Sequence, residues 1–381
     1  MRIAQLANFV GPRSGGLRTA VAALGAGYLE AGCERLLVIP GPTDDERVVD
    51  GTRVVQIRGP RVPGGYRLVV EPWRVVDALR RFGPTSVELS DKLTLAPVGA
   101  WARRHGIRTV LLSHERLDQM WAGWTSLGPA ARLPVGLLNR YLVRRVDAVV
   151  VTSRFAQEEF AQVAAAAGCP VHRIGLGVDL DTFRPSAGGS RRGPLRLVHA
   201  GRLSREKSPA LAVATAVELH RRGVDVRLDV YGDGPQRAAL ARLAGPAPVF
   251  FHGFVESRHV LSRRLAEADV ALSVCPHETF GLAVLEALAS GTPVVTADRG
   301  GAAELAGSTA GASAEPEPAA LADAVLRVAA RPEPERRAAA RRRAEQFPWS
   351  LAVDRMLAVH QGLPEDEPRP ADLPLGAASP P

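Results

Sequence analysis

Two carboxylates, Glu278 and Glu286, frame a helix start within the stretch VALSVCPHETFGLAVLEALASGTPVVT. The apolar runs at both ends of this stretch predict a strand, a loop, a helix and a second strand. Phe280, Gly281 and Leu282 open the helix, so its free N–H groups and the positive end of its dipole face the loop. A helix start of this kind binds anions. Because the two carboxylates can accept hydrogen bonds from hydroxyls, the stretch predicts a site for a sugar, phosphates and a ribose.

Two cations follow another predicted strand. The apolar run Leu195–Ala200 is followed by GRLSREK, which places Arg202 and Lys207 in a loop beyond the strand. Two positive charges there suit a diphosphate, whose negative charge grows as it leaves. Loop cations are more often solvated surface charges. However, Lys207 is one of only two lysines in an arginine-rich chain, which favours a binding role.

A histidine and a glycine pair follow predicted strands in the first half. Thr109–Ser113 leads into His114, and Ile3–Phe9 leads into a loop that contains Gly15 and Gly16. Ligands of parallel α/β sheets bind beyond the carboxyl ends of the strands. His114 is therefore a candidate ligand contact, and the glycines would let a phosphate approach the backbone. A structural histidine and a bare turn remain the alternatives, because neither stretch matches HExxH, GxGxxG or a P-loop.

Strand-like runs alternate with helical patterns along the chain, which predicts parallel sheets with helices on both faces. In the first half, we predict strands at 3–9, 36–39, 53–57, 86–89, 109–113 and 148–152, and helices at 17–31, 73–82, 95–105, 134–145 and 155–167. In the second half, we predict strands at 195–200, 226–231, 249–252, 270–274 and 293–296, and late helices at 319–330, 333–346 and 349–361. We therefore predict an α/β fold class, with two tandem domains that each contain a parallel sheet.

The domain boundary is predicted where regular periodicity stops. Ile174–Ser186 has neither a helical nor a strand period, and the polar run GGSRRG follows it. We predict a first domain over residues 1–180 and a second over 187–346. A C-terminal helix at 347–362 could cross back to the first domain, and the Pro-rich, acidic segment 363–381 is predicted to be disordered.

The charge is divided unevenly between the halves. The whole chain of 381 residues carries a net charge of +8. Residues 1–185 hold 24 Lys and Arg against 17 Asp and Glu, a net charge of +7, which leaves +1 for the remainder. A basic first half suggests an anionic partner, and an acidic membrane is favoured over nucleic acid because no nucleic-acid motif is present. Simple solvation of the charges remains an alternative.

One segment of the first half could itself lie at a membrane. The stretch from Leu117 to Arg145 mixes Trp121, Trp124 and several leucines with arginines. This pattern is typical of an interfacial helix, although a core-facing helix with a solvated back would have the same composition. No apolar run is long enough to predict a spanning helix. Three scattered cysteines suit a reducing, cytoplasmic location.

Taken together, these motifs resemble a large family of retaining glycosyltransferases with the GT-B fold. The resemblance implies two Rossmann-like parallel-sheet domains facing a cleft. This family is of the family 4 type, also called glycosyl transferases group 1, and it contains bacterial mannosyltransferases and sucrose and trehalose synthases. Glu278-x7-Glu286 matches its acidic motif, and GRLSREK matches its Arg…Lys diphosphate clamp. GVDLDTFRP, YGDGP, the N-terminal SGG and His114 match further motifs in the same order. The opening GGLRTAVAALGAGYLEAGCERLLVIPG and SHERLD are most similar to actinobacterial GDP-mannose-dependent α-mannosyltransferases.

The resemblance implies a role for each candidate residue. His114 would contact the transferred sugar and support the reaction, and Glu278 would hold the sugar. Glu286 would bind the ribose, and the Arg…Lys pair would hold the diphosphate. The donor-binding residues carried over in this way are Gly15, Gly16, Arg202, Lys207, Phe280, Gly281, Leu282 and Glu286. First-domain loops that contain Arg61, Arg67 and Asp91 could face the acceptor.

The implied activity is a retaining transfer of a hexose, mannose from GDP-mannose, to a lipid-linked or glycolipid acceptor. The departing phosphate would act as the base. The resemblance implies no metal and no cofactor besides the donor substrate, because the clamp supplies the positive charge. It implies a cytoplasmic enzyme, peripheral on the inner face of the cell membrane, with no nucleic-acid partner. The alternatives are a UDP-sugar with a soluble acceptor, a nucleotide-sugar epimerase, and a non-catalytic nucleotide-sugar-binding protein.

Overall fold

The computed structural model of the protein describes residues 1–10, 15–62, 66–117, 132–186 and 193–363. Several predictions lie outside these residues. They are the interfacial role of Trp121 and Trp124, most of the polar run after Ser186, and all but the first residue of the predicted disordered tail.

The first domain is built on a mainly parallel sheet with a separate two-stranded hairpin. Its strands are β1 (Arg2–Leu6), β2 (Glu34–Gly41), β3 (Asp45–Val49), β4 (Thr52–Arg58), β5 (Arg61–Val62), β6 (Tyr66–Arg67), β7 (Ser86–Leu89), β8 (Arg108–Ser113), β9 (Ala148–Val151) and β10 (Val171–Arg173). The sheet order is β10-β9-β8-β7-β1-β2-β4-β3, and β5 pairs with β6. The helices are α1 (Gly16–Glu30), α2 (Pro72–Phe82), α3 (Ala96–Arg104), α4 (Arg132–Val143), α5 (Arg154–Gln157) and α6 (Ala161–Ala167).

The second domain repeats this arrangement with parallel pairing throughout its described sheet. Its strands are β11 (Leu195–Ala200), β12 (Val226–Tyr231), β13 (Val249–Gly253), β14 (Val270–Ser273), β15 (Val294–Ala297) and β16 (Gly311–Ala314), in the order β13-β12-β11-β14-β15-β16. The helices are α7 (Pro209–Arg221), α8 (Arg237–Ala244), α9 (Arg258–Ala266), α10 (Leu282–Ala289), α11 (Gly301–Ala306), α12 (Pro318–Ala329) and α13 (Glu333–Ala344). The predicted α/β fold with two parallel sheets is confirmed.

Several local features of the first domain differ from the prediction, because β3, β5, β6 and β10 were not predicted and one predicted helix is divided. The edge strand β3 is antiparallel to β4 and exposed along its length, so it lacks the buried apolar run that marks the other strands. Asp50 and Gly51 join the two strands with φ values of 46° and 75°, as in a tight hairpin turn. The single helix predicted at 155–167 is two helices, because the chain turns between Gln157 and Ala161.

The last described helix, α14 (Trp349–Gln361), packs on the first domain although it follows the second. The chain leaves α13 beside the interdomain linker, where the Val178 N–H donates to the Phe347 carbonyl at 2.9 Å. Helix α14 then lies so close to α1 that a Cβ at Gly27 would come within 2.3 Å of Val353 Cγ2. Glycine at this position therefore permits the close packing of the two helices.

A buried polar cluster fixes the end of α14. His360 Nδ1 lies 2.7 Å from Ser86 Oγ, and its Nε2 lies 3.3 Å from a Glu88 carboxylate oxygen. Gln5 and Tyr28 donate to the same carboxylate at 2.9 and 2.7 Å. Burial opposes ionisation of Glu88, but hydrogen bonds from His360, Gln5 and Tyr28 outweigh it and lower the pKa of the carboxyl group. Because these groups satisfy one another, the cluster stabilises the crossover.

Candidate active site

The start of α10 supplies the anion-binding geometry predicted from the sequence. Gly281 precedes the first helical residue, Leu282, and has a φ of 105° in the left-handed region that favours glycine. The first N–H groups of α10 have no acceptor within the helix, as in any α-helix, and are directed out of its start. The Glu278 carbonyl accepts from Gly301 N–H at 2.6 Å, which joins this loop to the start of α11. A sharply turned loop therefore presents the helix start.

Lys207 and Glu278 meet at this loop. The Lys207 Nζ lies 3.0 and 2.8 Å from the two carboxylate oxygens of Glu278. The Lys207 side chain is 39% exposed and that of Glu278 is 15% exposed, so the pair is accessible from the cleft, the space where the two domains face each other. Burial acts against the charged form of Lys207, but the paired carboxylate outweighs it and raises the pKa of the ammonium group. The pair thus places a permanent cation beside the anion-binding helix start.

The loop after β11 brings Arg202 to the same region. Arg202 lies 3.3 Å from Glu206, and its guanidinium stacks over the Tyr66 ring of the first domain at 5.3 Å. Ser208, which follows Lys207, has a φ of 49°, an unfavourable value for a residue other than glycine. This turn connects the short 3₁₀ segment Arg205–Lys207 to α7. Backbone strain of this kind is concentrated at functional sites.

Glu286 faces the cleft from within α10 and forms an ion pair with Arg258. The Arg258 Nη2 lies 2.9 Å from Glu286 Oε1, and the Glu286 side chain is only 12% exposed. Burial raises the pKa of Glu286, and the Arg258 charge opposes that rise. Arg258 also approaches Thr19 Oγ1 of α1 at 3.5 Å and lies over the Phe183 ring of the linker at 4.9 Å. The predicted ribose carboxylate is thus held by an arginine that touches both domains.

His114 lies at the carboxyl end of β8, on the opposite wall. Burial lowers the pKa of His114 to about 4, so its imidazole is neutral at pH 7. Its Nε2 is buried and has no hydrogen-bond partner among the described residues. A neutral imidazole with one unused ring nitrogen can exchange a hydrogen bond with a hydroxyl that reaches it.

The two domains touch around these residues. The Thr279 hydroxyl donates to the His114 carbonyl at 2.6 Å, and the Ser153 hydroxyl donates to the Thr279 carbonyl at 2.5 Å. Glu304 of α11 accepts from the backbone N–H groups of Arg154 and Phe155 at the start of α5, at 3.2 and 3.1 Å. Glu278 and His114 therefore come from different domains yet flank a direct interdomain contact.

The N-terminal glycines complete the cleft. Gly15 precedes α1, and Gly16 is its first residue. A Cβ at Gly16 would lie 3.5 Å from Leu282 Cδ1, so the start of α1 faces the start of α10. The structure brings all the predicted site residues to the facing ends of the two sheets.

Comparisons with known proteins follow the same division of the chain. A family model described as "Glycosyl transferase 4-like domain" matches residues 15–177, and one described as "Glycosyl transferases group 1" matches residues 194–331. A relative from Mycobacterium tuberculosis is 44% identical over 370 residues, which are 94% of this chain and 96% of the relative. Its name is GDP-mannose-dependent alpha-(1-6)-phosphatidylinositol dimannoside mannosyltransferase. The chain belongs to the group 1 glycosyltransferases.

Other relatives support this membership. A GDP-mannose-dependent alpha-mannosyltransferase from Mycolicibacterium smegmatis is 31% identical over 80% of this chain and 82% of its own. Two solved structures share the fold at low identity. Sucrose-phosphate synthase from Thermosynechococcus elongatus has a TM-score of 0.77 at 20% identity, with 95% of this chain and 98% of that chain covered. Anabaena HepE in complex with UDP and glucose has a TM-score of 0.72 at 18% identity, with 95% and 99% covered. The predicted glycosyltransferase family, enzyme class and GT-B fold are confirmed.

Several residues at the glycosyltransferase site were not found by sequence reasoning. They are Tyr66, Ser153, Arg258, Thr279 and Glu304. Thr279 lies inside the recognised acidic motif, so its position was a signal that could have been used. The others have partners far along the chain, and their local sequences contain no motif that indicates those contacts.

Asp91 is predicted to lie in a loop that could face the acceptor. Its carboxylate has partners within that loop, because Asp91 Oδ2 accepts from the N–H groups of Leu93 and Leu95 at 3.2 and 2.8 Å. Asp91 therefore holds the turn before α3. Arg67 similarly donates to the Gly59 carbonyl at 2.5 Å.

In the described ranges, no group of three or more His, Cys, Asp or Glu side chains is placed to hold a metal ion. Within the same ranges, no helix of the glycosyltransferase has both the length and the apolar character needed to cross a membrane.

Proposed function

We propose that this glycosyltransferase transfers mannose from GDP-mannose to a mannosylated phosphatidylinositol, forming an α-linked product at a membrane surface. The observation that carries the proposal is the 44% identity, over nearly the full length of both chains, to a relative named for this donor and this class of acceptor. The candidate active site is intact in residue type and geometry, which supports catalysis over mere binding.

The donor would lie against the second domain. Arg202 and Lys207 would bind the diphosphate, with the start of α1 at Gly15 and Gly16 opposite them. Glu286 would accept hydrogen bonds from the ribose hydroxyls. Because Arg202 and Lys207 are positively charged, they would stabilise the charge that develops on the leaving diphosphate, and we propose that no metal is required.

The transferred sugar would lie between the domains. Glu278 and the backbone N–H groups of Phe280, Gly281 and Leu282 would bind its hydroxyls, and the unused Nε2 of His114 would contact it from the first domain. The acceptor hydroxyl oxygen would bond to the anomeric carbon as the bond from that carbon to the phosphate oxygen breaks. The hydroxyl proton would pass to the leaving diphosphate, with retention of the anomeric configuration.

The decisive experiment incubates the purified full-length chain with GDP-mannose and phosphatidylinositol dimannoside, and identifies products by mass spectrometry. We expect a product that is heavier than the acceptor by one hexose residue. UDP-glucose and GDP-glucose are the competing donors, and a soluble mannoside is the competing acceptor. Preferred use of UDP-glucose or of the soluble acceptor would overturn the assignment, and conversion of the donor without acceptor would indicate an epimerase.

A binding measurement separates the donor from the acceptor. Thermal unfolding with GDP, UDP and their sugars reports donor preference without any acceptor. A ligand at ~100 times its Kd adds roughly 2.7 kcal/mol to the free energy of unfolding. We expect GDP and GDP-mannose to stabilise the chain more than the uridine compounds. Stabilisation without turnover on any glycolipid would favour a non-catalytic binding protein.

A further inference from the structure

Two arginine pairs lie together at the edge of the first domain that faces away from the cleft. Arg103 and Arg104 end α3, while Arg144 and Arg145 directly follow α4. Both helices connect parallel strands of one sheet, so both end at the amino ends of those strands. The Arg103 guanidinium donates to the Arg144 carbonyl at 2.6 Å, which fixes the two helix ends side by side. The four arginines line a surface recess of about 380 Å³.

These positive charges are poorly balanced. Arg103 lies 3.3 Å from Asp147, and this is the one ion pair that the four arginines make with the described residues. Arg145 lies over the Tyr141 ring at 3.6 Å, and the exposed Arg104 and Arg144 have no acidic partner within the described part of the chain. Arginine at a helix end is common because it complements the helix dipole. The helix dipole accounts for the arginines but not for the shortage of carboxylates around them.

The second domain contains a matched pair that is neutralised. Arg221 and Arg222 lie at the end of α7, just as Arg144 and Arg145 lie at the end of α4. Arg221 pairs with Glu218 at 2.8 Å, and Arg222 pairs with both Glu218 and Asp323. The same helix-end pattern is therefore balanced by acids in one domain and left positive in the other.

The outer surface of α4 adds apolar area to this charge. Leu137 is 66% exposed and Tyr141 is 39% exposed, and both rank among the large apolar side chains left on the surface. Arg140, on the same helix, and Arg144, directly after its end, are exposed as well. Apolar side chains flanked by arginines are typical of a helix that lies in the headgroup region of a bilayer.

We propose that this surface docks on a lipid bilayer that contains anionic phospholipids. We call it the α4 surface and define it as Arg104, Leu137, Arg140, Tyr141, Arg144 and Arg145. The arginines would lie against the phosphate headgroups, and Leu137 and Tyr141 would enter the boundary with the acyl chains. The proposal rests on the proposed function in one respect, namely that a lipid acceptor gives the docking its purpose.

The orientation is compatible with access to the cleft. The chain leaves β8 at His114, beside the cleft, and α4 leads it back to the opposite edge of the sheet, where β9 begins. A helix of 12 residues spans about 18 Å. A bilayer that lies along α4 would therefore extend from the arginine edge towards the cleft.

A nucleic acid is the other polyanion that a basic surface could meet. Contacts with its phosphates require positive charge but no exposed leucine. The combination of Leu137 and Tyr141 with the arginines therefore favours lipid, and binding to duplex DNA becomes an outcome of the test.

The test is flotation of the full-length chain with phosphatidylcholine vesicles, prepared with and without phosphatidylglycerol. The chain should float with the anionic vesicles, and added salt should weaken binding. Arg144→Gln/Arg145→Gln should lower the partition coefficient by roughly 10- to 30-fold, because each arginine near an anionic surface contributes about 1 kcal/mol to binding. The matched control Arg221→Gln/Arg222→Gln removes the same charge from the other domain and should change partitioning by about twofold or less. Leu137→Ser should weaken binding at constant charge.

Three outcomes would overturn the proposal. They are equal flotation with and without phosphatidylglycerol, equal losses in the two double variants, and tighter salt-matched binding to duplex DNA that is lost in Arg144→Gln/Arg145→Gln. Thermal stabilisation by GDP should be the same in that variant as in the wild-type chain, which shows that the variant is folded. Flotation without mannose transfer would overturn the proposed function alone, whereas transfer to a detergent-dispersed acceptor without flotation would overturn the docking alone.

Discussion

The chain contains two lysines, one in each domain. Each lysine forms an ion pair with a glutamate of its own domain. Lys92 lies 2.9 Å from Glu159 in the first domain, with side chains that are 7% and 1% exposed. Lys207 lies 2.8 Å from Glu278 in the second domain, with side chains that are 39% and 15% exposed. The two pairs have almost the same length, so distance alone does not distinguish them.

Their surroundings do distinguish them. Lys92 also donates to the Glu115 carbonyl at 2.6 Å and lies over the Phe160 ring at 4.9 Å, while Asn139 donates to Glu159. The buried pair has protein partners on every side and serves the architecture of the first domain. Lys207 and Glu278 instead open to the cleft beside a helix start. A polar pair is therefore available to a ligand only where the protein leaves part of it unsatisfied or exposed.

The largest effect should come from breaking the buried pair. Lys92→Met would leave the Glu159 carboxylate buried and without its cation, which costs about 3–5 kcal/mol in comparable cases. We expect the free energy of unfolding, measured with urea, to fall by about this amount. The folded fraction should keep most of its transferase activity. Lys92→Met/Glu159→Gln should recover part of the loss, and a single variant as stable as the wild type would show that the pair is not architectural.

Breaking the exposed pair should have the reverse outcome. Lys207→Ala would remove a charge that stabilises the leaving diphosphate, which we expect to lower kcat by about 10²- to 10³-fold. The free energy of unfolding should change by about 1 kcal/mol or less, because the pair is partly exposed. Steady-state kinetics and urea unfolding on the same preparation test both expectations. A large loss of stability with little loss of kcat would remove the distinction between the two lysines.

Unlike the two lysines, His114 has a buried polar atom, Nε2, that has no hydrogen-bond partner among the described residues. Its pKa of about 4 lies below the value of about 6.5 expected in the unfolded chain. As the pH falls through 6.5, the unfolded chain gains a proton that the folded chain does not accept until about pH 4, so the folded state loses stability. Between pH 7 and pH 5 this one group costs about 2 kcal/mol.

The variant His114→Gln isolates that contribution. It cannot bind the proton in either state, so it should lose about 2 kcal/mol less stability than the wild type between pH 7 and pH 5. Urea unfolding of both proteins at the two pH values gives the comparison, in which the other titrating groups cancel. Equal losses in the two proteins would mean that His114 is not buried in its neutral form.

The sequence predicted the parts of the molecule that depend on local pattern. Most of the parallel strands were recognised because each is a short buried apolar run, as in Leu195–Ala200, whereas β10 and β16 are less completely buried and were missed. The exposed strand β3 was missed because it has no such run. Gly281 and Glu286 were recognised because a helix start and a carboxylate one turn later form a local motif. Contacts such as that of Thr279 with His114 depend on how the two domains meet. The sequence around either residue contains no motif that predicts the other as its partner.

Arg258 is the clearest example of a residue missed for that reason. Its ion pair with Glu286 is more exposed than the Lys92 pair and similar in exposure to the Lys207 pair. Its partner Glu286 is 12% exposed, while Arg258 itself is 42% exposed. Arg258→Ala should remove the group that holds the Glu286 carboxylate in place. We expect GDP affinity, measured by calorimetry at pH 7, to fall by about fivefold, equivalent to about 1 kcal/mol for a half-exposed charged hydrogen bond.

The pH dependence of that loss distinguishes positioning from general destabilisation. Burial raises the pKa of Glu286 and Arg258 opposes the rise, so the variant should protonate Glu286 at a higher pH than the wild type does. Its GDP affinity should therefore begin to fall at a higher pH as the solution is acidified. Arg264→Ala is the control, because Arg264 lies on the same helix and pairs with the surface residue Glu267 at 3.1 Å. Identical pH profiles of GDP affinity for the wild type and Arg258→Ala would show that Arg258 does not act through Glu286. When both proteins also carry Glu286→Gln, their pH profiles should no longer differ.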